Sequence, residues 1–336
     1  MTQDFTQAVE LLQAGKLVAF PTETVYGLGA DAANAQAVAK IFAAKGRPAD
    51  HPLIVHLADT ASIECWARDV PASAWKLAEA FWPGPLTMIL PRAAAVPYAV
   101  TGGQETVGLR VPAHPLALDL LRAYAQAGGG QRGLCGIAAP SANRFGRISP
   151  TEAAHVHDEL GASVALVLDG GPCPVGIEST IIDLSRAGAA PRLLRPGHIT
   201  PEQIAAVIGT LPEMPEAHGA DKTPRVSGSL AAHYAPHTPM RVVASARLPE
   251  FLRELAQQGR RCALLSYGPP RALMPTHARR QLPADPDAYA RGFYAALREL
   301  DAGANELIVV EDIPAEAAWA AVADRLRRAA FGSGER

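Results

Sequence analysis

The chain has 336 residues, 49% of them hydrophobic and 19% charged, with a formal net charge of −2. This length exceeds one average domain, so we expect two, and the near-neutral charge argues against an extensive basic surface for duplex nucleic acid. No apolar run approaches the roughly 18 residues that span a bilayer. Four scattered cysteines without a C-x-x-C pair, and an N-terminus without a signal-peptide pattern, predict a cytoplasmic protein with reduced thiols.

Hydrophobic periodicity predicts an α/β first domain over residues 1–208. The predicted helices cover 4–14, 35–44, 61–68, 72–82, 115–126 and 201–208. The predicted strands cover 17–20, 53–57, 86–90, 106–112, the start of 137–143, 164–168, 178–184 and 192–195. A further helix is expected to begin at 149–152, with Ser149 as its cap and Pro150 in its first turn.

The most unusual stretch is FPTETVYGLG, residues 20–29. Pro21 ends the buried strand before it, since proline cannot donate to a sheet ladder. Polar side chains follow at once, and they are Thr22, Glu23, Thr24 and Tyr26. Gly27 and Gly29 are expected to let the backbone turn sharply and approach a ligand. The stretch is therefore either a ligand-binding lining at a strand end or a polar turn whose threonines cap a helix.

A second unusual stretch, KGRPADHPLIVHL, places Lys45 and Arg47 in a turn directly before the strand 53–57. The two cations could hold phosphates or a carboxylate, although a solvated helix C-terminus favours cations as well. His56 alternates onto the same strand face as Ile54, which predicts partial burial. A structural histidine is the default interpretation of this position.

Arg110 lies among apolar residues of the strand 106–112. An unpaired charge there would cost several kcal/mol, so we expect an internal carboxylate or a ligand anion as its partner. Polar groups recur at strand ends through this domain, namely Thr24, Arg47, His56, Arg110, Ser141, Ser179 and Arg195. This pattern is typical of a concave site for a small anionic ligand, and three arginines favour phosphate. The residues alone thus predict a phosphate- or carboxylate-binding α/β enzyme.

Residues 209–239 are rich in proline and glycine with little periodicity, which predicts an interdomain linker too long for a mere connection. Residues 240–336 then alternate between strand and helix. The predicted strands are 240–244, 261–266 and 306–310, and the predicted helices are 248–258, 286–301 and 315–330. This order favours a small parallel sheet covered by helices. Because it carries no catalytic-looking cluster, we expect this domain to hold, regulate or cover the first.

Six motifs in order resemble those of the threonylcarbamoyl-AMP synthase family, the YrdC-type enzymes. They are FPTETVYGLG, KGRPADHPLIVH, GLRVP, AAPSAN, ESTI and LRPG, and SGSLAAHYAP is similar to the interdomain linker of the family's long form. The resemblance implies a YrdC-like twisted open sheet around a large, electropositive concave site in 1–208. It also implies an active-site lid in 209–239 and a C-terminal α/β accessory domain with a parallel Rossmann-like sheet in 240–336.

The resemblance further implies a reaction. L-threonine, bicarbonate and ATP give threonylcarbamoyl-adenylate and pyrophosphate, with magnesium expected to accompany the nucleotide mostly through phosphates and water. A tRNA threonylcarbamoyl-transferase complex would then pass the group to the adenosine beside the anticodon. A weak contact with tRNA is compatible with the basic concavity.

The family's binding positions can be assigned residue by residue. The threonine-binding positions correspond to Thr24, His56, Arg110, Ala139 and Ser179. The nucleotide-binding positions correspond to Arg47, His51, Thr106, Ser141, Ser149, Arg195 and Tyr234, with Lys45 as a further phosphate contact. His51 stands where the family commonly has asparagine. No residue is expected to act as a covalent nucleophile.

Two other functions compete with this interpretation. An RNA-binding module without turnover could use the same basic concavity, although overall acidity and the lack of interleaved aromatic residues weaken this alternative. A different carbamoyl-transfer enzyme is a second alternative, because YrdC-like domains also occur in hydrogenase-maturation proteins. Those proteins carry acylphosphatase and zinc-finger modules that this sequence lacks.

Overall fold

The computed structural model describes residues 5–214, 223–268 and 275–334. Within this part of the chain, a mixed sheet of nine strands organises the first two hundred residues. Its strands are β1 (Val18–Phe20), β2 (Gly27–Asp31), β3 (Ile54–His56), β4 (Leu86–Pro91), β5 (Thr106–Arg110), β6 (Ile137–Ala138), β7 (Leu166–Val167), β8 (Thr180–Asp183) and β9 (Arg192–Arg195). The strand order is β7-β1-β2-β6-β3-β5-β4-β8-β9.

Helices cover this sheet. They are α1 (Thr6–Gln13), α2 (Ala35–Lys45), α3 (Ile63–Trp66), α4 (Ala72–Phe81), α5 (Tyr98–Thr101), α6 (Pro115–Gln126), α7 (Ala153–Leu160) and α8 (Pro201–Ile208). Helix α2 begins where predicted, because the Asn34 side chain accepts hydrogen bonds from the first free backbone N–H groups. It ends at Gly46 in the left-handed conformation, which turns the chain toward Arg47.

A second sheet of four parallel strands follows, as the alternating pattern predicted. Its strands are β10 (Met240–Val243), β11 (Cys262–Tyr267), β12 (Ala278–Leu282) and β13 (Leu307–Glu311), in the order β10-β13-β11-β12. Its helices are α9 (Leu248–Gln257), α10 (Pro286–Asp301) and α11 (Ala320–Ser333). The sequence analysis missed β12, because an edge strand with the sequence ARRQL shows little hydrophobic patterning.

The two glycines of the 20–29 stretch do not make the predicted sharp turn, whereas Gly27 lines the cavity described below, which is compatible with the predicted approach to a ligand. Both lie in β2, which pairs antiparallel with β1, so the chain turns between Pro21 and Tyr26 instead. A Cβ atom on Gly29 would lie 2.7 Å from the Phe20 ring and 2.9 Å from the Val18 carbonyl oxygen. Glycine is therefore required for the close packing of two strands and not for a sharp turn.

The helix α7 also begins differently from the prediction. Its N-cap is Glu152, which makes no side-chain capping bond, and Ser149 lies fully buried three residues earlier. The Ser149 hydroxyl donates to Glu178 Oε1 at 2.5 Å. A buried serine with a carboxylate acceptor has its hydrogen bond satisfied and does not cap the helix.

The two sheets share a hydrophobic cluster. Val25, Ile148 and Ile177 of the first part pack in one core with Tyr289 and Phe293 of α10. Tyr234 of the predicted linker belongs to the same core. Residues 215–222 of that linker lie outside the described residues. The region around Tyr234 is thus packed between the two halves of the molecule.

Candidate active site

The Thr22–Val25 turn presents a fixed hydroxyl group. Thr22 Oγ1 lies 2.8 Å from Thr24 Oγ1 and 2.7 Å from the Val25 carbonyl oxygen, and it accepts the Thr24 N–H at 3.2 Å. Such local bonds compete with regular structure and hold a turn. Thr24 Oγ1 in turn accepts a hydrogen bond from Arg110 Nη1 at 3.0 Å. The turn therefore aims Thr24 at the end of β5.

Arg110 has an internal carboxylate as its partner in this structure. Its Nη2 atom lies 2.7 Å from Glu23 Oε1, and both side chains are at least 93% buried. Its Nε atom donates to the Gly84 carbonyl oxygen at 3.2 Å. A buried arginine with several oxygen partners is held rigidly. One of the two partners expected from the sequence is thus found.

His56 lies beside Arg110, because β3 and β5 run parallel with these two residues in register. It is fully buried, and burial together with the Arg110 charge lowers its pKa to about 3. The imidazole is therefore neutral at physiological pH. Its ring meets the Phe20 ring edge-on, and its Nδ1 atom has no hydrogen-bond partner among the described residues.

Ser179 and Arg195 are bonded to each other, directly before β8 and at the end of β9. Arg195 Nε and Nη2 donate to the carbonyl oxygen and the hydroxyl group of Ser179, at 3.0 Å and 3.1 Å. The same hydroxyl lies 2.8 Å from the Thr87 hydroxyl on β4. Arg195 Nη1 donates to the Ser227 carbonyl oxygen at 2.9 Å. Burial lowers the pKa of Arg195 below its ordinary value.

The two cations after α2 differ in what they contact. Lys45 is buried, and its Nζ atom donates to the carbonyl oxygens of Ser141 and Asn143. Burial lowers the pKa of Lys45 well below its ordinary range. Arg47 donates to the Pro52 carbonyl oxygen at 2.8 Å and reaches the Ser227 hydroxyl at 3.4 Å. Lys45 therefore holds the segment 141–143, whereas Arg47 points toward the cavity described next.

These groups surround one cavity, whose free volume is about 450 Å³ when the open solvent at its mouth is included. All five residues at the predicted threonine-binding positions line it, and they are Thr24, His56, Arg110, Ala139 and Ser179. Three residues at predicted nucleotide-binding positions, Ser141, Arg195 and Tyr234, line it as well. Side chains from separate strands and loops thus meet in one hollow, and two buried arginines, Arg110 and Arg195, are among them.

The remaining predicted nucleotide-binding residues lie around this cavity or away from it. Arg47 reaches its wall through Ser227, and Ser149 lies behind Glu178. His51 packs its ring 5.3 Å from Phe145, whose ring is 6.1 Å from that of His233 in the cavity wall. Thr106 lies four residues before Arg110 on β5, about 13 Å along the strand, and lines a different cavity. The structure therefore does not place Thr106 with the others.

The linker contributes three residues to the cavity wall. Ser227, His233 and Tyr234 line it, and Tyr234 is 1% exposed. The Tyr234 backbone has φ = 62°, a conformation that costs a non-glycine residue roughly 1 kcal/mol or more and persists only where packing enforces it. The rings of His233 and Tyr234 lie 4.2 Å apart. This segment is thus held over the site by specific contacts.

Sequence reasoning missed two residues that support the cavity wall. Glu178 lines the cavity, and Arg325 of α11 donates to its Oε2 atom at 2.9 Å. Glu178 stands in the quoted motif ESTI, so a carboxylate adjacent to Ser179 was a usable signal. Arg325 gave no signal, because an arginine in an amphipathic helix is usually solvated. In this structure it is fully buried.

Neither a metal-binding cluster nor a membrane-spanning helix was found in the described residues. No group of three or more His, Cys, Asp or Glu side chains among them could hold a metal ion. None of the described helices combines the length and apolar character required to cross a bilayer. The two carboxylates nearest the cavity, Glu23 and Glu178, are both paired with arginines.

The twisted sheet and its cationic cavity define an α/β enzyme that binds small anionic substrates. Residues 10–197 match the Sua5/YciO/YrdC family model, described as telomere recombination. Residues 199–331 match the model of the threonylcarbamoyl-AMP synthase C-terminal domain. The chain therefore belongs to the Sua5/YrdC family of threonylcarbamoyl-AMP synthases and carries the C-terminal domain of its longer members.

Individual relatives are similar over nearly the whole chain. The threonylcarbamoyl-AMP synthase of Bacillus subtilis is 42% identical, over 97% of this chain and 92% of that protein. The one of Pyrococcus abyssi is 39% identical, over 96% and 92%. The solved structure of P. abyssi Sua5 complexed with L-threonine has a TM-score of 0.87 and 36% identity, covering 97% of this chain and 94% of that chain.

Proposed function

We propose that this cavity is where the chain acts as a threonylcarbamoyl-AMP synthase, joining L-threonine, bicarbonate and ATP into threonylcarbamoyl-adenylate and pyrophosphate. The observation that carries the proposal is the meeting of Arg110 and Arg195 with the hydroxyl groups of Thr24, Ser141 and Ser179 in one hollow. Two anions, an amino acid and a nucleotide, repel each other in water. Buried cations fixed beforehand hold them together without reorganisation.

The threonine subsite is formed by Thr24, His56, Arg110, Ala139 and Ser179. The substrate carboxylate binds the Arg110 guanidinium, whose planar fork suits a carboxylate. It takes the side of Arg110 that faces the cavity, since Glu23 already occupies Nη2 from behind. Neutral His56 adds no charge, and it bounds the pocket beside Arg110. The small Ala139 leaves room for the amino acid.

The nucleotide subsite is formed by Ser141, Arg195 and Tyr234 in the cavity wall, with Arg47 and His51 at its rim. Lys45 and Ser149 act from behind, by holding the segment 141–143 and Glu178. Thr106 is omitted from this set because it lines another cavity. In this structure Ser227 accepts hydrogen bonds from Arg195 and Arg47. Phosphate oxygens of ATP replace Ser227 when the nucleotide binds.

The chemistry needs no covalent nucleophile from the protein. The threonine amine and bicarbonate give a carbamate with loss of water, and a carbamate oxygen attacks the α-phosphorus while pyrophosphate leaves. The arginines position the reactants and neutralise the charge that develops on the phosphates. Magnesium would neutralise charge on the phosphates of the nucleotide and would be held mostly by phosphate oxygens and water, because the carboxylates Glu23 and Glu178 are already paired with arginines.

Residues 209–239 act as a lid between a catalytic domain at 1–208 and an accessory domain at 240–336. Support for this division comes from the position of Tyr234, which packs on the cavity side and on Tyr294 of α10, with ring centroids 5.8 Å apart. A closed lid excludes water from the product, a mixed anhydride that hydrolyses easily.

The product passes to a tRNA threonylcarbamoyl-transferase complex, and weak contact with tRNA accompanies this step. The cytoplasm is the proposed location, consistent with four free cysteines in the chain. The alternative of an RNA-binding module without turnover is not favoured, because the relatives over nearly the whole chain are threonylcarbamoyl-AMP synthases and Arg110 and Arg195 line a cavity.

The decisive experiment measures pyrophosphate release from ATP by the purified full-length chain. Release is expected only when threonine and bicarbonate are both supplied, and mass spectrometry is expected to identify threonylcarbamoyl-adenylate. Omission of each substrate in turn is the control. RNA binding without such release would overturn the assignment in favour of the binding module.

A further inference from the structure

We propose that Arg325, on helix α11 of the C-terminal half, is a positioning residue of the synthase reaction that acts through Glu178 on Ser179 and Arg195. The inference rests on the proposed function of the cavity. It gives the C-terminal half a part in catalysis beyond covering the first domain. Arg325 itself does not line the cavity.

Arg325 contacts the two chain segments that carry Ser179 and Arg195. Its Nε atom donates to Glu178 Oε2 at 2.9 Å, and its Nη2 atom reaches the Glu178 carbonyl oxygen at 3.4 Å. Its Nη1 atom donates to the Pro196 carbonyl oxygen at 2.8 Å. Glu178 directly precedes Ser179 and Pro196 directly follows Arg195, so one planar guanidinium fixes the spacing of both backbones.

Glu178 transmits this hold to the cavity wall. Its carboxylate also accepts hydrogen bonds from the hydroxyls of Ser149 at 2.5 Å and Tyr294 at 3.0 Å and 3.2 Å. Three separate segments of the chain, which carry Ser149, Tyr294 and Arg325, therefore hold the Glu178 side chain in the cavity wall. Arg325 also lies over the Tyr234 ring of the lid, 5.4 Å from its centroid. The same guanidinium thus contacts the wall and the lid of the site.

Electrostatics make the charge of Glu178 depend on Arg325. Burial alone would raise the pKa of Glu178, but the charges of Arg325 and Arg195 and the Ser149 hydrogen bond hold it at about 2. The groups that act on Glu178 are Ser149, Arg195, His233, Tyr234, Tyr294 and Arg325. Arg325 is itself also paired with Asp324 at 3.1 Å. Without Arg325, burial is opposed mainly by Arg195, so protonation of Glu178 moves toward neutral pH.

A purely structural ion pair between the two halves would look similar, so the test must separate stability from catalysis. Arg325→Ala leaves a buried carboxylate without its partner and is expected to lower stability. The double variant Arg325→Met with Glu178→Gln removes both charges and keeps the volume, which is expected to restore much of the stability. Arg325→Lys keeps the charge and loses the planar fork.

The expected result is a loss of about 100-fold in kcat/KM for both threonine and ATP in Arg325→Ala and in the double variant, since small misplacements of reacting groups cost this much. Arg325→Lys is expected to lose about tenfold. The kcat/KM of Arg325→Ala is also expected to fall at acidic pH, where Glu178 becomes protonated. Adding Glu178→Gln to this variant is expected to abolish that fall. Arg327→Ala, on the same helix with a 75% exposed side chain, is the matched control and keeps wild-type kinetics.

Wild-type kinetics in the double variant, or in a folded Arg325→Ala protein, would overturn the inference. If Arg325→Ala does not fold, the double variant and Arg325→Lys decide the matter. A loss of only stability, with unchanged pH profile and unchanged kcat/KM at low temperature, would assign Arg325 a structural role alone. Failure of the wild-type chain to release pyrophosphate would instead count against the proposed function itself, which keeps the two failures distinct.

Discussion

Arg195 donates to both the carbonyl oxygen and the hydroxyl group of Ser179, at 3.0 Å and 3.1 Å. Ser179 is proposed to bind threonine and Arg195 to bind ATP, so the two subsites share a wall. Arg195→Ala is therefore expected to lower kcat/KM for ATP by about 100-fold and to raise KM for threonine by about tenfold. Steady-state pyrophosphate release at varied threonine and ATP measures both effects. Arg192→Ala, on the same strand but paired with Glu213, is the control and should change neither.

Arg110 is expected to serve threonine far more than ATP. Arg110→Ala removes the charge-assisted partner of the substrate carboxylate and should lower kcat/KM for threonine by about 100-fold, with little change in ATP binding. Because the variant leaves Glu23 buried and unpaired, its stability falls, so Arg110→Ala with Glu23→Gln is measured in parallel. Arg92→Ala removes another buried arginine that does not line the cavity and serves as control. Equal losses for threonine and ATP would contradict the assigned role.

Two buried histidines make the fold sensitive to acid. The pKa values of His56 and His233 are both lowered to about 3, chiefly by burial, from an ordinary value of 6.5. Below about pH 6.5 the unfolded chain binds more protons at these histidines than the folded chain. The stability that the neutral histidines contribute is therefore complete above about pH 6.5 and is lost as the pH falls toward 3. Each histidine is expected to cost about 1.5 kcal/mol of unfolding free energy between about pH 6.5 and about pH 5.

Urea unfolding at these two pH values measures the loss. His56→Asn should remove about a third of the pH dependence, because His155, whose pKa is lowered to about 4 by burial, contributes together with His56 and His233. His157→Asn, at an exposed position, is the control. A pH slope that is the same in the wild type and His56→Asn would show that His56 is not the group responsible.

Gly29→Ala tests the close approach of β1 and β2. The new Cβ atom would lie 2.9 Å from a backbone carbonyl oxygen, which cannot move aside without shifting β1. The free energy of unfolding is expected to fall by about 2 kcal/mol or more. Gly108→Ala on β5 is the matched control, since its nearest neighbour is the flexible Ile89 Cδ1 atom at 3.1 Å. Similar losses for both variants in urea unfolding would refute this account.

Gly228→Ala is expected to loosen the lid. A Cβ atom there would lie 2.2 Å from the Tyr234 hydroxyl oxygen and 3.2 Å from Arg195 Nη1, so the linker must move away from the cavity. Water that enters the cavity should hydrolyse the product. The ratio of released pyrophosphate to recovered threonylcarbamoyl-adenylate should therefore rise severalfold.

Gly133→Ala separates this effect from backbone strain. Its φ of 77° is close to the 81° of Gly228, but no atom lies near its Cβ position. It should therefore cost similar stability, on the order of 1 kcal/mol, and leave the ratio of pyrophosphate to product unchanged. An equal ratio in the two variants would argue that the linker does not protect the product.

Local patterns in the sequence were enough for much of the fold. The apolar periodicity, the Asn34 cap and the breaks at Gly46 and Pro21 placed α2 and β1 within a few residues. The alternation after residue 240 predicted the second parallel sheet. The strand β12 was missed because an edge strand needs only one apolar face, and ARRQL hardly shows one.

Long-range contacts were not accessible in the same way. Ser149 looked like a helix cap and Lys45 like a phosphate contact, but each side chain is bonded to a distant or buried partner. Thr106 shares a strand with Arg110 and yet faces another cavity. A residue type at a strand end shows what chemistry it can do, whereas its partners depend on which segments the fold brings beside it.

By itself the sequence determined most of the strands and helices, the polar character of the strand ends and the resemblance to a family, because these depend on neighbours along the chain. The tertiary structure alone decided that Arg110 is paired with Glu23 and that Arg325 reaches Glu178 from 147 residues away. Partners this far apart in the chain are chosen by the packing of the two halves, since a buried charge is tolerated only where the fold supplies its counter-charge.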